Sequence, residues 1–292
     1  MKNSIVEFLL WDNCNNHCKF CFLKEHNRCP SFLNHQERID SIDNVVDFIN
    51  TKWVDGDSIL LCGGELFDTP ITTDLATHWD NLVDAIIDGV KSGKISDIYI
   101  NTNLIYDINL SLASFLLKLA VNGVLETLHF TTSFDLYGRF KSTDDMLLFV
   151  NNIQQLKKMY PDLEIVVNAV MTKQFCDAVY NGFDVKSLQE ELHIFINLIP
   201  YIILTENMVP SKEQVMETIR IVDNQIPGYL NSMVQRFIAD HPRKLYKFHN
   251  GRLEYMTANV ADCGHSENFQ RYTADGSCFI CDLVKLKGEI YG

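Results

Sequence analysis

The chain has 292 residues, 47% of them hydrophobic and 22% charged, with a formal net charge of -13. That balance suits a globular protein with a sizeable core, and an acidic chain without a basic run is poorly equipped to grip nucleic acid. No apolar run is long enough to span a bilayer: the longest, around Phe195 to Leu204, is interrupted by Asn197 and Pro200.

Taken in chain order, apolar β-branched runs alternate with amphipathic helical stretches. Met1-Lys2-Asn3-Ser4 leads into an apolar stretch broken by Glu7 and ended by Asp12, which is not the pattern of a secretory signal. Strands are predicted over Ser4–Trp11, Ser58–Cys62, Asp97–Asn101, Thr127–Ser133, Glu164–Met171 and His193–Pro200. Helices are predicted over Arg38–Thr51, Asp74–Ser92, Leu110–Asn122, Thr143–Tyr160 and Phe175–Glu191, the last broken at Asn181-Gly182. Two more follow, Ser211–Asn224 and Tyr229–Asp240. Continuous apolar strands suit a parallel sheet buried on both faces, and the β–α alternation argues for right-handed crossovers. Six such units are too few to close an eight-strand barrel, so the expected fold is α/β, an open partial (β/α)6 barrel over residues 1–240. Ligands on such sheets sit at the C-terminal ends of the strands.

Residues 241–292 change character. His249-Asn250-Gly251-Arg252 is a turn signal between Leu245–Phe248 and Leu253–Tyr255, and Asp275-Gly276 is another between Arg271–Thr273 and Cys278–Ile280. The expectation is a small β-rich, cysteine-containing, metal-binding appendage.

Nine cysteines without a secretory signal point to a reducing cytosol, where they serve as metal ligands or buried thiols. Three of them, Cys14, Cys18 and Cys21, occupy the run Cys14-Asn15-Asn16-His17-Cys18-Lys19-Phe20-Cys21, directly after the first strand. Three thiolates on one short loop can hold three irons of a [4Fe-4S] cube and leave the fourth open to a small molecule. A structural zinc site is the competing reading: zinc wants four ligands, and His17 as the fourth is cramped between two cysteines. After the second strand comes Cys62-Gly63-Gly64-Glu65, where glycines let backbone approach a ligand closely and a carboxylate can accept from an ammonium group.

This combination resembles the radical S-adenosylmethionine (SAM) family. The resemblance covers the cysteine spacing, the aromatic Phe20 before the third cysteine, and Gly63-Gly64-Glu65 one βα unit later. It implies a [4Fe-4S] cluster on Cys14, Cys18 and Cys21, with the open iron holding the amino and carboxylate groups of SAM. Gly63, Gly64 and Glu65 would meet the amino group. Asn103, Ser133, Arg139 and Asn168, on or after the third to fifth strands, would meet the ribose and carboxylate, with Asn197 near the adenine. The implied activity is reductive cleavage of SAM to methionine and a 5′-deoxyadenosyl radical, fed by a flavodoxin- or ferredoxin-type electron donor.

Cys263, Gly276 and Cys281 are spaced by twelve and four residues, which resembles the opening half of the SPASM or twitch auxiliary-cluster domain of radical SAM peptide maturases. Two features depart from it: Cys278 is an additional thiol, and no further cysteine follows Cys281. Cys263, His265, Cys278 and Cys281 would equally make a zinc tetrahedron. His265-Ser266-Glu267 before Cys278 and Cys281 is reminiscent of zinc nucleoside deaminases, but the proline before their CxxC is missing. The second site is therefore an auxiliary [4Fe-4S] cluster or zinc. The partial auxiliary pattern favours a peptide or protein substrate; a nucleoside or other small metabolite is the alternative, and a non-catalytic SAM-binding regulator a third reading. Cys29, Cys62 and Cys176 read as structural thiols, His129 and His193 as core residues with a local hydrogen bond, and Asp40, Asp43 and Asp47 as solvated surface.

Overall fold

The computed structural model describes residues 4–11, 13–21, 35–68, 73–199, 208–238, 243–249, 252–256 and 279–291. Six strands run parallel in chain order: β1 (Ile5–Leu9), β2 (Asp57–Cys62), β3 (Ile95–Asn101), β4 (Leu128–Phe134), β5 (Glu164–Val170) and β6 (Phe195–Ile199). Between them come α1 (His35–Thr51), α2 (Thr73–Lys91), α3 (Leu110–Val121), α4 (Thr143–Met159), α5 (Lys173–Tyr180) and α6 (Val185–Leu192). α7 (Lys212–Gln225) and α8 (Tyr229–Ile238) follow β6. The sheet ends in two edges among the described residues, so it is open, as six units predict.

Local chemistry sets the helix starts. Asn109 caps α3 by accepting from Ser111 N and Leu112 N, and Ser142, Thr172 and Asp184 do the same for α4, α5 and α6. Ser211 opens α7 with a full capping box, its partner being Gln214. The predicted break at Asn181-Gly182 is present: Gly182 has φ +100°, a left-handed turn between α5 and α6 that glycine takes without strain. His193 is not in a strand; it is the left-handed cap of α6, with φ 50°.

The sheet has two chemically different faces. Val6, Phe8, Ile59, Leu61, Ile98, Ile100, Phe130, Ile165, Val167, Ile196 and Leu198 are buried and join helix residues such as Ile42, Leu82, Phe115 and Phe149 in one core. The register puts Glu7, Cys62, Tyr99, Thr131, Ser133, Asn168 and Asn197 on the other face, and most are only half-buried. That alternation departs from the expectation of strands apolar on both faces. Among the described residues the helices pack on the first face, and polar side chains line the second.

The first C-terminal hairpin forms as β7 (Arg243–His249) and β8 (Arg252–Met256). β7 pairs in parallel with β1, so the hairpin extends the main sheet in the order β6-β5-β4-β3-β2-β1-β7-β8. The second predicted hairpin is corrected in part. Phe279 and Ile280 open a helix, α9 (Phe279–Tyr291), whose Leu286 is fully buried. The rest of that hairpin lies outside the described residues. Among the described residues, no helix is long and apolar enough to cross a membrane.

Candidate active site at the C-terminal ends of the strands

The end of β1 is bolted to the end of β2. Gly64 N donates to Trp11 O at 2.8 Å, Glu65 N to Asn13 O at 2.7 Å, and the Trp11 indole N–H to Glu65 O at 2.8 Å. The Trp11 ring also belongs to an aromatic group with Trp79, Phe67 and Phe115, at centroid distances of 5.9–6.4 Å. Gly63 is required here by space: a Cβ on it would lie 2.4 Å from Trp11 O. Gly63 thus allows two strand ends to approach, and the cysteine loop starts from that junction.

The loop is then clamped from three further strand ends. Asn15 donates its backbone N–H to Asp68 at 2.9 Å and its side-chain amide to Ile105 O at 2.6 Å. Asn103, just past β3, donates to the Asn15 side-chain oxygen at 2.7 Å. The turn after β4 takes the other side: Lys19 N donates to Gly138 O at 2.8 Å, Asn16 Nδ2 to Arg139 O at 3.1 Å, and Lys141 Nζ to Asn15 O at 2.6 Å. Buried Asp135 shapes that turn by accepting from Gly138 N, Tyr137 N and Thr172 Oγ1. Phe20 is buried against Val170 and Met208, the end of β5 and the entry to α7, so it anchors the loop to the sheet.

All three loop cysteines are half-buried, and none is in a disulfide among the described residues. Donors surround the sulfurs: Asn16 N lies 3.4 Å from Cys14 Sγ, Asn16 Nδ2 3.4 Å from Cys18 Sγ, and Asn103 Nδ2 3.5 Å from Cys14 Sγ. Burial pushes the Cys14 thiol up to about 12, against the opposing pull of the Asn16 N–H. His17 is exposed, its backbone N–H donating to the Asn16 side chain. Among the described residues, no three His, Cys, Asp or Glu side chains converge closely enough to share a single metal ion. The chemistry of the donors is the fit test for a cluster. N–H groups aimed at sulfur, with a cation close by, match thiolate ligands spread around several irons better than neutral thiols.

Glu65 is 1% exposed. Its carboxylate accepts from Leu66 N at 2.9 Å, Phe67 N at 3.1 Å, Thr102 Oγ1 at 3.0 Å and Asn103 N at 2.5 Å. Burial still outweighs these donors and lifts the carboxyl to about 7. The side chain therefore ties β2 to β3 from inside the protein. Arg139 is 5% exposed; its Nη2 donates to Asn103 O at 2.8 Å and Thr132 Oγ1 at 3.0 Å, and its Cζ lies 5.7 Å from the centre of the Phe149 ring. Burial lowers the guanidinium pKa, while nearby Cys18, Glu65 and Cys14 raise it.

The structure thus brings Cys14, Cys18, Glu65, Asn103 and Arg139 together. Ser133 and Asn168 lie on the polar face of the sheet, in direct register with each other, and Asn168 is in register with Asn197. Asn197 Nδ2 donates to Asn168 Oδ1 at 3.2 Å. Cys62 is buried beside Leu9 and Cys21, and its thiol donates to Glu7 at 3.3 Å. Cys176 is buried as expected of a structural thiol. His129 is not a core residue: half-buried on the open face, it hydrogen-bonds Glu164, pairs with Asp97 at 3.5 Å and stacks on Tyr99. Asp43 is not simply solvated either, since it meets His78 at 2.7 Å. Cys29, Cys263, His265 and Cys278 lie outside the described residues, and Cys281 falls in the first turn of α9.

The sequence did not single out Asn16 or Lys141, and of the strand-end runs Asn101-Thr102-Asn103 and Ser133-Phe134-Asp135 it pointed to Asn103 and Ser133, not to Thr102 and Asp135. The available signal was modest: paired asparagines inside a cysteine loop, and an aspartate three residues before a glycine, a spacing that suits an Asx-type turn.

No protein-family model matches the sequence, and no curated protein sequence matches it. Solved structures do. Histidine-tagged anSMEcpe with bound AdoMet superposes with a TM-score of 0.54 at 15% identity, over 97% of this chain and 72% of that one. Native anSMEcpe with bound AdoMet gives 0.51 at 14% identity, over 82% of this chain. The same protein with AdoMet and the Kp18Cys peptide gives 0.52 at 15%. This chain spans 63% of the length of native anSMEcpe. At 14–15% identity, it is the fold of these AdoMet-bound neighbours that this chain shares.

Proposed function

We propose that this protein is a radical SAM enzyme that modifies a peptide or protein side chain. The observation that carries the reading is the cysteine loop itself. Three half-buried thiols sit at the strand ends, with N–H donors on the sulfurs of Cys14 and Cys18 and a buried guanidinium nearby.

In this reading Cys14, Cys18 and Cys21 hold three irons of a [4Fe-4S] cluster, and Phe20 seats the loop against the sheet. Gly63 and Gly64 bring backbone close to the SAM amino group, and Glu65 fixes that backbone from beneath. Asn103 and Arg139 border the cluster side of the bound SAM, while Ser133, Asn168 and Asn197 offer hydrogen bonds along the open face. When bound, the cluster supplies the electron that cleaves SAM to methionine and a 5′-deoxyadenosyl radical. The protein's part is to position SAM and exclude water.

A peptide substrate is supported by two considerations. The fold neighbour anSMEcpe has been crystallised with AdoMet and the Cp18Cys and Kp18Cys peptides. Residues 241–292 also carry Cys263, His265, Cys278 and Cys281, proposed to hold an auxiliary [4Fe-4S] cluster or zinc. A flavodoxin- or ferredoxin-type donor and a cytosolic setting complete the proposal.

The test is anaerobic reconstitution with iron and sulfide, then dithionite and SAM, with 5′-deoxyadenosine read by mass spectrometry. Wild type should form it, and a variant with Cys14, Cys18 and Cys21 all changed to Ala should not. A loaded wild type that binds SAM without ever forming 5′-deoxyadenosine would overturn the enzymatic reading. In the same preparations, about eight irons in wild type against about four in the triple variant would assign the second site to iron–sulfur; about one zinc in both would assign it to zinc.

A further inference from the structure

Arg139 stands in an unusual place for a charged side chain. It is 5% exposed, at the turn that follows β4. Its Nη2 is held by Asn103 O and Thr132 Oγ1, while its buried Nε has no hydrogen-bond partner among the described residues. One face of the guanidinium lies against Phe149. The charges close enough to act on it are Cys18, Glu65 and Cys14. A buried, incompletely bonded cation is costly unless an anion sits beside it. Glu65 supplies at most one negative charge, and four other donors already share its carboxylate. The other charges acting on it among the described residues are two of the three loop cysteines.

The same residue also positions them. The Arg139 carbonyl accepts from Asn16 Nδ2, and that amide nitrogen is also the donor to Cys18 Sγ. The Arg139 guanidinium holds the carbonyl of Asn103, whose side chain donates to Cys14 Sγ. One side chain thus brings a fixed positive charge to the thiols and orients donors to two of them.

We propose that Arg139 is the built-in counter-charge of the cysteine-bound cluster, a positioning residue that favours loading and eases the cluster's reduction, and not a ligand of the SAM carboxylate. The proposal rests on the radical SAM reading above. Its electrostatics are simple: a one-electron reduction adds negative charge to the cluster, and a buried cation beside it stabilises the reduced form.

Arg139→Gln and Arg139→Lys separate charge from shape. Both are reconstituted anaerobically beside wild type, assayed for iron, and titrated potentiometrically with the reduced cluster followed by its EPR signal. The expected result is a more negative midpoint and less iron in Arg139→Gln, with Arg139→Lys returning toward wild type in both. If Arg139→Gln holds no iron, Arg139→Lys decides: normal loading supports the charge, and an equally empty site refutes it. Equal midpoints at equal iron content in wild type and Arg139→Gln would overturn this inference and leave the radical SAM reading standing. A wild type that takes up no iron would undo both.

Discussion

Replacing Gly63 by alanine puts a methyl carbon 2.4 Å from the Trp11 carbonyl oxygen. Carbon and oxygen come no closer than about 3.3 Å in ordinary weak contacts, so the two strand ends must part by about 0.9 Å. The obstacle is backbone, which has no alternative rotamer. The Gly64 N–H bond to that same oxygen is 2.8 Å long, and such an opening takes it past hydrogen-bonding range. Losing the bond costs about 1 kcal/mol. Forcing the extra carbon into a packed junction costs about 1–3 kcal/mol more. Gly63→Ala is therefore expected to lose about 2–4 kcal/mol of folding stability, a large share of the roughly 5–15 kcal/mol typical of a domain. Urea unfolding followed by tryptophan fluorescence measures it, the midpoint falling at unchanged m-value. Gly288→Ala is the control: it sits in α9, and among the described residues nothing beyond its own stretch of helix lies within 4 Å of its added Cβ. It should gain about 0.5–1 kcal/mol from helix propensity. A Gly63→Ala protein within about 0.5 kcal/mol of wild type would refute the argument that close approach, and not turn conformation, requires this glycine.

Three further outcomes follow from the buried charges. Glu65 holds its proton more tightly in the folded state, at about 7 against an ordinary 4.5. Its contribution to stability is complete below 4.5 and is lost as pH rises through about 7, a change of about 3 kcal/mol. Glu65→Gln should flatten the pH dependence of urea unfolding across that window, and an unchanged slope would contradict the burial argument. Cys14, with its thiol raised to about 12, must shed a proton before it can bind metal. Iron uptake by apoprotein should therefore rise from about pH 6.5 to about pH 8.5, and pH-independent uptake would contradict it. For His129, burial lowers the pKa, but the Glu164 and Asp97 carboxylates more than offset it, so stability is greatest below 6.5 and fades above. Glu164→Gln should remove up to about 1 kcal/mol at pH 5.5 and little at pH 8.5, read as a difference in urea midpoints.

The sequence was most readable where local chemistry and the global fold agree. The runs Ser58–Cys62 and Glu164–Met171 are apolar and β-branched enough to announce strands, and Asn181-Gly182 announces a helix break because only glycine takes φ +100° freely. Cys14, Cys18 and Cys21 stood out by their spacing, and the fold seats their loop at the strand ends. The pairing of β7 with β1 was not, because a parallel partner more than two hundred residues away leaves no trace in a seven-residue strand. Cys278-Phe279-Ile280 misled because so short an apolar run fits a strand or the first turn of a helix equally well. Gly63-Gly64-Glu65 showed that backbone approaches closely there, but it does not say what approaches or which way the carboxylate turns. In the fold, the approaching group is Trp11 O and the carboxylate turns inward to Thr102 and Asn103.

Those inward turns make physical sense of the site. Glu65 and Arg139 come from different strand ends, and both reach the backbone of Asn103, one accepting from its N–H and the other donating to its carbonyl. The Asn103 side chain in turn reaches Asn15 and Cys14. Three βα turns are thus linked through a single residue that touches the cysteine loop. The loop is too short to build an interior of its own, and its shape is imposed from below by β2, β3 and β4. That arrangement separates two tasks. In the proposed function, the rigid ends of the sheet would hold the sulfurs for a cluster, and the open polar face beyond, with Ser133, Asn168 and Asn197 in register, would receive the rest of the bound molecules.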